Sequence, residues 1–218
     1  MARHEPDGAP AGLVDRVTVG VAEHGNSAVL VTLGPGGLLL DRRSVDLTRG
    51  LPTHPDHHEG AWAVGRYLDS PWARPIALAD ALALIERVHA AAAVGAREAL
   101  DALAVAIPAP IAAIAIRACP ALPPTLEERV RDNRAQAVAD SVMYRQALAG
   151  AAESRGWAVG WYDRDRVSLD AAAALGPQSL DVFLRAMGRS AGPPWQARQK
   201  LAATAALAVT SRCGRAFF

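Results

Sequence analysis

Two short apolar segments lie near the start of the chain. Residues 17–21 and 28–33 are rich in β-branched and aliphatic side chains, and the polar residues 23–26 separate them. This pattern is typical of a β-hairpin. The Gly-Pro-Gly-Gly sequence at 34–37 turns the chain again, and residues 38–47 combine an apolar segment with apolar–polar alternation. We therefore predict an antiparallel meander of three strands.

After a long segment rich in proline, the apolar residues recur at the spacing of a helix. Over residues 76–105, apolar side chains recur at intervals of three and four, which predicts one long helix, or two if Gly95 interrupts it. Residues 111–116 are nearly all apolar, as in a strand that is covered on both faces. This segment predicts a central strand of the sheet.

A further strand and several helices are predicted in the last third of the chain. Thr125 and Glu128 match a capping box, which predicts a long helix that ends near residue 155. Aromatic and β-branched residues at 157–162 favour a strand. Shorter helical segments follow at 169–175, 179–187 and 195–211. The predicted fold is an α/β domain with a mixed sheet of about five strands, in which helices and strands alternate after the meander.

Length and composition favour one globular domain. A chain of 218 residues fits a single core, and we predict a domain at 13–211, a flexible N-terminal arm at 1–12 and a short tail at 212–218. The two cysteines have no metal-ligand spacing, and the first residues lack the apolar stretch of a signal peptide. We expect a cytoplasmic protein without a membrane-spanning helix.

The overall charge does not identify a partner. The 23 basic and 22 acidic residues give a net charge of +1, so no overall field would attract nucleic acid or an anionic membrane. Any nucleic-acid interface would therefore have to be a local basic surface.

The proline-rich segment contains the densest cluster of functional groups in the sequence. Residues 54–60 contain three histidines and two carboxylates, which are groups that bind divalent metals or transfer protons near neutral pH. His57, His58 and Glu59 are the candidate metal ligands, and Glu59 is also a candidate general acid or base. The spacing is not that of a zinc-protease motif, and a solvated loop would have the same composition.

One face of the predicted long helix is polar. Its candidate substrate-binding residues are Asn133, Arg134, Gln136 and Arg145, and its candidate catalytic residues are Asp140 and Tyr144. Spacings of three and four residues align these side chains in two adjacent stripes, with Ser141 among them. A solvated helix face would show the same pattern.

Three further polar residues follow predicted strands. Glu23 is a candidate catalytic residue, Arg117 is a candidate substrate-binding residue, and Asp163 follows the later strand. In α/β proteins, ligands often bind at the carboxyl ends of strands, so these residues would matter if they converged. The sequence contains neither a phosphate-binding glycine loop nor a nucleophile elbow.

The order of the elements resembles the ribonuclease-H-like fold of the Holliday-junction resolvases of the RuvC family, over roughly residues 17–211. Residues 19–25 are similar to the resolvases' first strand, in which an acidic residue follows a glycine and an apolar residue. Ala22 occupies that acidic position here. The resemblance implies a second acid where this chain has Arg117, and carboxylates near Gln199 and Lys200 in the last helix.

The missing carboxylates affect the two-metal nuclease chemistry that the resemblance implies. Two-metal nuclease chemistry needs carboxylates that hold two cations a few ångströms apart. Glu23 is one position beyond Ala22 and should point to the opposite face of the strand. The implied metal site is therefore expected to be degenerate or relocated.

Three interpretations stay open on the sequence. The first is a ribonuclease-H-like domain with a degenerate or relocated nuclease site that binds nucleic acid or a protein partner. The second is a metal-dependent or acid/base enzyme, hydrolase-like, that uses the loop at 57–59 and the Asp140 helix face. The third is an interaction protein with Trp62, Trp72 and Trp195 at a partner surface. Enzymatic activity, any cofactor other than a divalent metal, and the oligomeric state stay open as well.

Overall fold

A computed structural model of the protein describes residues 17–48 and 77–213. The predicted arm at 1–12 and the histidine-rich segment at 54–60 lie outside the described residues. None of the helices in the described part of the chain is long and apolar enough to span a membrane.

Five strands form one mixed sheet in the order β3-β2-β1-β4-β5. β1 pairs antiparallel with β2, and β2 pairs antiparallel with β3, whereas β4 runs parallel to both β1 and β5. The predicted meander and the central apolar strand are therefore confirmed. The strands are β1 (Val17–His24), β2 (Ser27–Leu33), β3 (Leu39–Asp46), β4 (Ile111–Arg117) and β5 (Ala158–Tyr162).

Six helices lie in the described segments, and they cover both faces of the sheet because the inner strands β2 and β4 have buried apolar side chains on both faces. α1 and α3 pack on one face, and α4, α5 and α6 pack on the other. The helices are α1 (Leu78–Ala106), α2 (Leu126–Arg131), α3 (Asn133–Glu153), α4 (Val167–Leu175), α5 (Leu180–Ala191) and α6 (Ala197–Cys213).

The last helix lies directly on the first strand. A Cβ atom at Gly20 would lie 1.8 Å from the carbonyl oxygen of Ala202 and 2.7 Å from the amide nitrogen of Ala206. The Thr18 hydroxyl lies 3.0 Å from the Thr210 hydroxyl. Only small residues allow a helix to approach a strand this closely, which explains the alanine-rich composition of α6.

Gly95 does not interrupt α1, which runs continuously from Leu78 to Ala106. A Cβ atom at this position would lie 2.5 Å from the carbonyl oxygen of Leu47. The glycine therefore serves a close approach between α1 and the segment after β3, and the predicted option of two helices is wrong.

The predicted long helix after Thr125 is two helices. Thr125 and Glu128 form the expected capping box at the start of α2. Asp132 then adopts an extended conformation, with φ −97° and ψ 115°, and its carboxylate accepts hydrogen bonds from the amides of Arg134 and Ala135. Asp132 is thus the N-cap of α3, and its extended backbone separates α3 from α2.

Candidate functional site

A buried ion pair joins the end of β1 to the middle of α3. The Nε atom of Arg145 donates to Oε1 of Glu23 at 2.7 Å, and Nη2 donates to the same oxygen. Only 5% of the Arg145 side chain and 6% of the Glu23 side chain are exposed. Glu23 therefore points toward α3, on the face opposite to Ala22, as the alternation of the strand predicts.

Arg145 also fixes the chain after β4. Its Nη1 atom donates to the carbonyl oxygen of Ala118 at 3.0 Å. One guanidinium group thus bonds to both β1 and the segment that follows β4. Because it is buried and fully engaged in this way, Arg145 contributes little to the outer surface of the protein.

A concave pocket of about 510 Å³ lies at the carboxyl ends of β4 and β5, beside α3. Residues that line it include Arg117, Cys119, Ser141, Arg145, Asp163 and Arg164. Arg117, Arg145 and Asp163 converge here, as expected for polar groups that follow strands or face them from a helix. Glu23 reaches the pocket wall only through its bond to Arg145.

The chain after β5 is held by a turn at Asp163. Its carboxylate accepts a hydrogen bond from the Asp165 amide at 2.8 Å, and its carbonyl oxygen accepts one from the Val167 amide at 2.9 Å. These bonds order the segment that leads into α4. Arg164 lies between the bonded residues and is exposed at the rim of the pocket.

Tyr162 crosses the end of β4 beneath the pocket. It pairs in register with Arg117, and its hydroxyl donates to the carbonyl oxygen of Val21 on β1 at 2.9 Å. Since β4 lies between β5 and β1, the buried ring spans the intervening strand. Burial, with a smaller contribution from the charge of Glu23, raises the pKa of Tyr162 to about 12. The phenol is therefore a neutral hydrogen-bond donor at physiological pH.

Cys119 is the free thiol in the pocket wall. Burial raises its pKa, and the neighbouring positive charge of Arg145 opposes this shift only in part. The thiol is thus protonated near neutral pH and is not an activated nucleophile. The sequence did not single out Cys119 or Tyr162 as site residues, because their roles depend on contacts between distant segments.

Ala22 and Arg117 occupy equivalent positions near the carboxyl ends of the parallel strands β1 and β4. Gly20 pairs with Ala115, and Ala22 and Arg117 each lie two residues further along their parallel strands. Ala22 is buried toward α6. The resemblance to resolvases implies carboxylates at these two positions. Neither alanine nor arginine ligates a divalent cation, so the two positions do not fit a two-metal site.

The third place for which the resemblance to resolvases implies carboxylates is the start of α6. The helix α6 runs in the opposite direction to β1, because Thr18 contacts Thr210 whereas Gly20 lies under Ala202. Two residues of a strand span about 6.6 Å and one helical turn spans about 5.4 Å. An advance of two residues along β1 therefore corresponds to about one turn toward the start of α6. Gly20 lies under Ala202, and the first turn of α6 therefore lies over Ala22. That turn contains Gln199, whose side-chain oxygen accepts a hydrogen bond from the Gln196 amide at 3.1 Å. Gln199 is thus part of a local helix-end bond.

The predicted residues of the α3 face occupy different environments. Tyr144 is fully buried in the core between the sheet and the helices α1 and α3, and burial raises its pKa to about 12. Asp140 is half-buried, and Arg134 is exposed. Asn133 and Gln136 lie on the described backbone of α3, but their side chains are outside the described part of the structure.

The candidate metal ligands His57, His58 and Glu59 lie outside the described residues, as do Trp62 and Trp72. Within the described segments, no group of three or more His, Cys, Asp and Glu side chains could hold a metal ion. Trp195 is half-buried in its own domain, where its Nε1 atom donates to the carbonyl oxygen of Leu184 at 3.0 Å.

No family model matches this chain, and no curated protein matches it in sequence. Two solved structures of RuvC from Thermus thermophilus are similar to it. The structure in complex with Holliday junction substrate is 16% identical, with a TM-score of 0.49, and the alignment covers 92% of this chain and 97% of that chain. The second RuvC structure is 17% identical, with a TM-score of 0.46, and the alignment covers 91% and 96%.

At these identities the likeness concerns the fold alone. The predicted architecture, a three-strand meander followed by alternating helices and strands in one mixed five-stranded sheet, is confirmed by the strand order and the element order described above. This is the arrangement on which the resemblance to the ribonuclease-H-like fold depends.

Proposed function

We propose that this ribonuclease-H-like domain binds nucleic acid at the carboxyl ends of β4 and β5 and has a degenerate nuclease site. The observation that carries the proposal is the position of Arg117. Arg117 and Ala22 each lie two residues beyond the last pair of β4 with β1, and these are the two positions for which the resemblance implies metal-binding carboxylates. Loss of the carboxylates removes the cations that would bind phosphate, and the arginine supplies a fixed positive charge in their place.

Further basic side chains lie near the same edge of the sheet. Arg164 is exposed at the rim of the pocket, and Arg198 and Lys200 are exposed in the first turn of α6. Phosphate contacts of this kind supply most of the affinity in sequence-independent binding. From the sequence, a nucleic-acid interface would be a continuous positive patch of Arg117, Arg134 and Arg145. Arg145 is instead buried against Glu23, so that patch does not form, and the surface that we propose combines Arg117 with Arg164, Arg198 and Lys200.

A second candidate function is supported by the shape of the site. A pocket of about 510 Å³ beside α3 is within the range of small-molecule sites, which is roughly 300–1,000 Å³. An enzyme that used the loop at 57–59 together with Asp140 would need this loop to fold over the same region. Binding of a divalent metal by His57, His58 and Glu59 is the property that distinguishes this candidate from the first.

The test of the leading proposal is a titration of labelled single-stranded, duplex and four-way-junction DNA, followed by fluorescence anisotropy at two salt concentrations. We expect binding that weakens as salt rises. Arg117→Ala and Arg164→Ala should each weaken binding to all three DNAs and reduce the salt slope by about one unit. Incubation with Mg²⁺ or Mn²⁺ should leave the DNA uncut.

Arg97→Ala is the matched control. Arg97 is an exposed arginine on α1, and its carbonyl oxygen accepts a hydrogen bond from Arg155, which lies between the end of α3 and the start of β5 and thus at the opposite end of β5 from the pocket. Its removal changes the net charge by the same amount. Absence of binding at low salt, or an equal loss in Arg97→Ala, would contradict the proposed interface. Metal-dependent cleavage would contradict the proposed degeneracy of the site.

A further inference from the structure

We infer that the pocket at the carboxyl ends of β4 and β5 accommodates one nucleotide unit, either at the end of a strand or as a free nucleoside monophosphate. This inference deepens the proposed function and rests on it for the choice of ligand class. A phosphate backbone that passes over a protein needs only surface side chains, whereas this site has a recess of about 510 Å³. A recess of that size suits a ligand that enters the protein, as a terminal or free nucleotide does.

The charged groups of the lining suit a ligand with both anionic and hydrogen-donating parts. Arg117 and Arg164 are the cations available for phosphate, because Arg145 is already bonded to Glu23. Asp163 and Asp165 add carboxylates that accept hydrogen bonds from sugar hydroxyls or base amino groups. A simple anion would be disfavoured by these carboxylates, whereas a nucleotide has complementary groups for both signs.

Apolar side chains supply the third kind of contact. Val138 on α3 and Pro120 after β4 line the pocket together with the hydroxyl-bearing Ser141. A base or a sugar ring has apolar faces that such side chains contact favourably. Phosphate, hydroxyl and ring contacts are thus all available within one recess.

The floor of the pocket is held by hydrogen bonds between separate elements and within the turn after β5. Arg145 bonds to the Ala118 carbonyl, Tyr162 bonds to the Val21 carbonyl, and the Asp163 carboxylate bonds to the Asp165 amide. Groups that are ordered before binding lose less conformational entropy when a ligand arrives. The pocket is accordingly suited to a small ligand without rearrangement of its floor.

Cys119 provides a direct reporter, because its half-buried thiol lies in the pocket wall. The experiment measures the rate of Cys119 alkylation by iodoacetamide, a neutral reagent, in full-length protein with Cys213→Ser. A saturating nucleoside monophosphate or a 5′-phosphorylated oligonucleotide should slow alkylation by about tenfold. The corresponding nucleoside and inorganic phosphate should protect much less, because each makes only part of the contacts.

The ligands distinguish the two sources of the nucleotide unit. Protection by the mononucleotide identifies a free-nucleotide site, whereas protection only by linear oligonucleotides, and not by a closed circular single strand, identifies a strand-end site. Arg164→Ala should reduce the protection, and Arg97→Ala should leave it unchanged. An unchanged alkylation rate with every nucleotide ligand would overturn the inference.

The two proposals fail separately. If DNA binds in the anisotropy titration but no ligand protects Cys119, the pocket inference is wrong and the surface interface stands. If a mononucleotide protects Cys119 but no DNA binds, the pocket inference stands and the proposed nucleic-acid interface is wrong.

Discussion

Arg145 on α3 and Glu23 at the end of β1 form a buried ion pair although they lie 122 positions apart in the sequence. Removing two charges from water costs free energy that their attraction only partly recovers, so such a pair is weak grounds for high stability. Replacing only one of the two residues has a different effect, because the charge of the other residue then stays buried without a partner. The pair, with the Arg145 bond to Ala118, sets the relative positions of β1, β4 and α3 beside the pocket.

We therefore predict that Arg145→Met lowers the free energy of unfolding by about 3–5 kcal/mol, because it leaves the Glu23 carboxylate buried and unpaired. The double variant Glu23→Leu with Arg145→Met should recover most of this loss. Urea denaturation of the three proteins measures both effects.

The exposed pair of Arg131 and Glu127 is the control for the ion-pair prediction. Its side chains are 62% and 47% exposed, and Arg131→Met should cost less than about 1 kcal/mol. Equal losses in Arg145→Met and Arg131→Met would contradict a special role of the buried pair.

The contact between Gly20 and α6 predicts a severe effect of one added methyl group. Gly20→Ala would place Cβ 1.8 Å from the backbone oxygen of Ala202, and the strand and the helix would have to separate. We expect a loss above about 3 kcal/mol, because overpacking against backbone cannot be relieved by a side-chain rotation. Thermal and urea unfolding of the purified variant measure this loss.

Gly150→Ala is the matched control for this prediction. Gly150 is an exposed helical residue of α3, and nothing lies within 4 Å of an added Cβ. Alanine should stabilise α3 by roughly 0.5–1 kcal/mol, because it is the better helix former. A Gly20→Ala protein as stable as the parent would disprove the close contact.

The two buried tyrosines predict a loss of stability in alkali. The pKa values of Tyr144 and Tyr162 are raised from the ordinary value near 10 to about 12 by burial. The folded state therefore holds their protons more tightly than the unfolded state, and the free energy of unfolding should fall as pH rises from about 10 to about 12. Below pH 10 the contribution of both groups is fully present.

Tyr162→Phe separates the two tyrosines. It should make the alkaline loss less steep, and it should cost about 1 kcal/mol at neutral pH because the hydrogen bond to the Val21 carbonyl is lost. Unfolding free energies measured across this pH range check both statements. An alkaline slope identical to that of the parent protein would show that Tyr162 is not the group responsible.

Metal binding separates the two candidate functions. With Ala22 and Arg117 at the positions for which the resemblance implies carboxylates, we expect no rise in Tm with Mg²⁺, Mn²⁺ or Zn²⁺ relative to chelator. The comparison protein contains His57→Ala and Glu59→Ala. A rise in Tm that this variant abolishes would instead favour the metal-dependent enzyme.

Local patterns were sufficient for the elements of the fold. The hairpin, the central apolar strand and the capping box at Thr125 depend on neighbouring residues, so the sequence predicts them. The alternation along β1 also predicts that Glu23 and Ala22 face opposite sides of the sheet, as the structure shows. The same local patterns could not predict the break at Asp132, because an aspartate inside a helical pattern is equally compatible with an uninterrupted helix.

The sequence alone predicts the order of the strands and helices along the chain, and it shows that residues 22 and 117 are not carboxylates. The packed fold was needed to show three contacts: the close approach at Gly95, the bond between Arg145 and Glu23, and the bond from Tyr162 to Val21 across β4. Secondary structure follows from periodicity over a few residues, whereas these contacts join segments far apart in the sequence. The pocket at the ends of β4 and β5 is made of such contacts, so it exists only once the sheet and α3 have packed together.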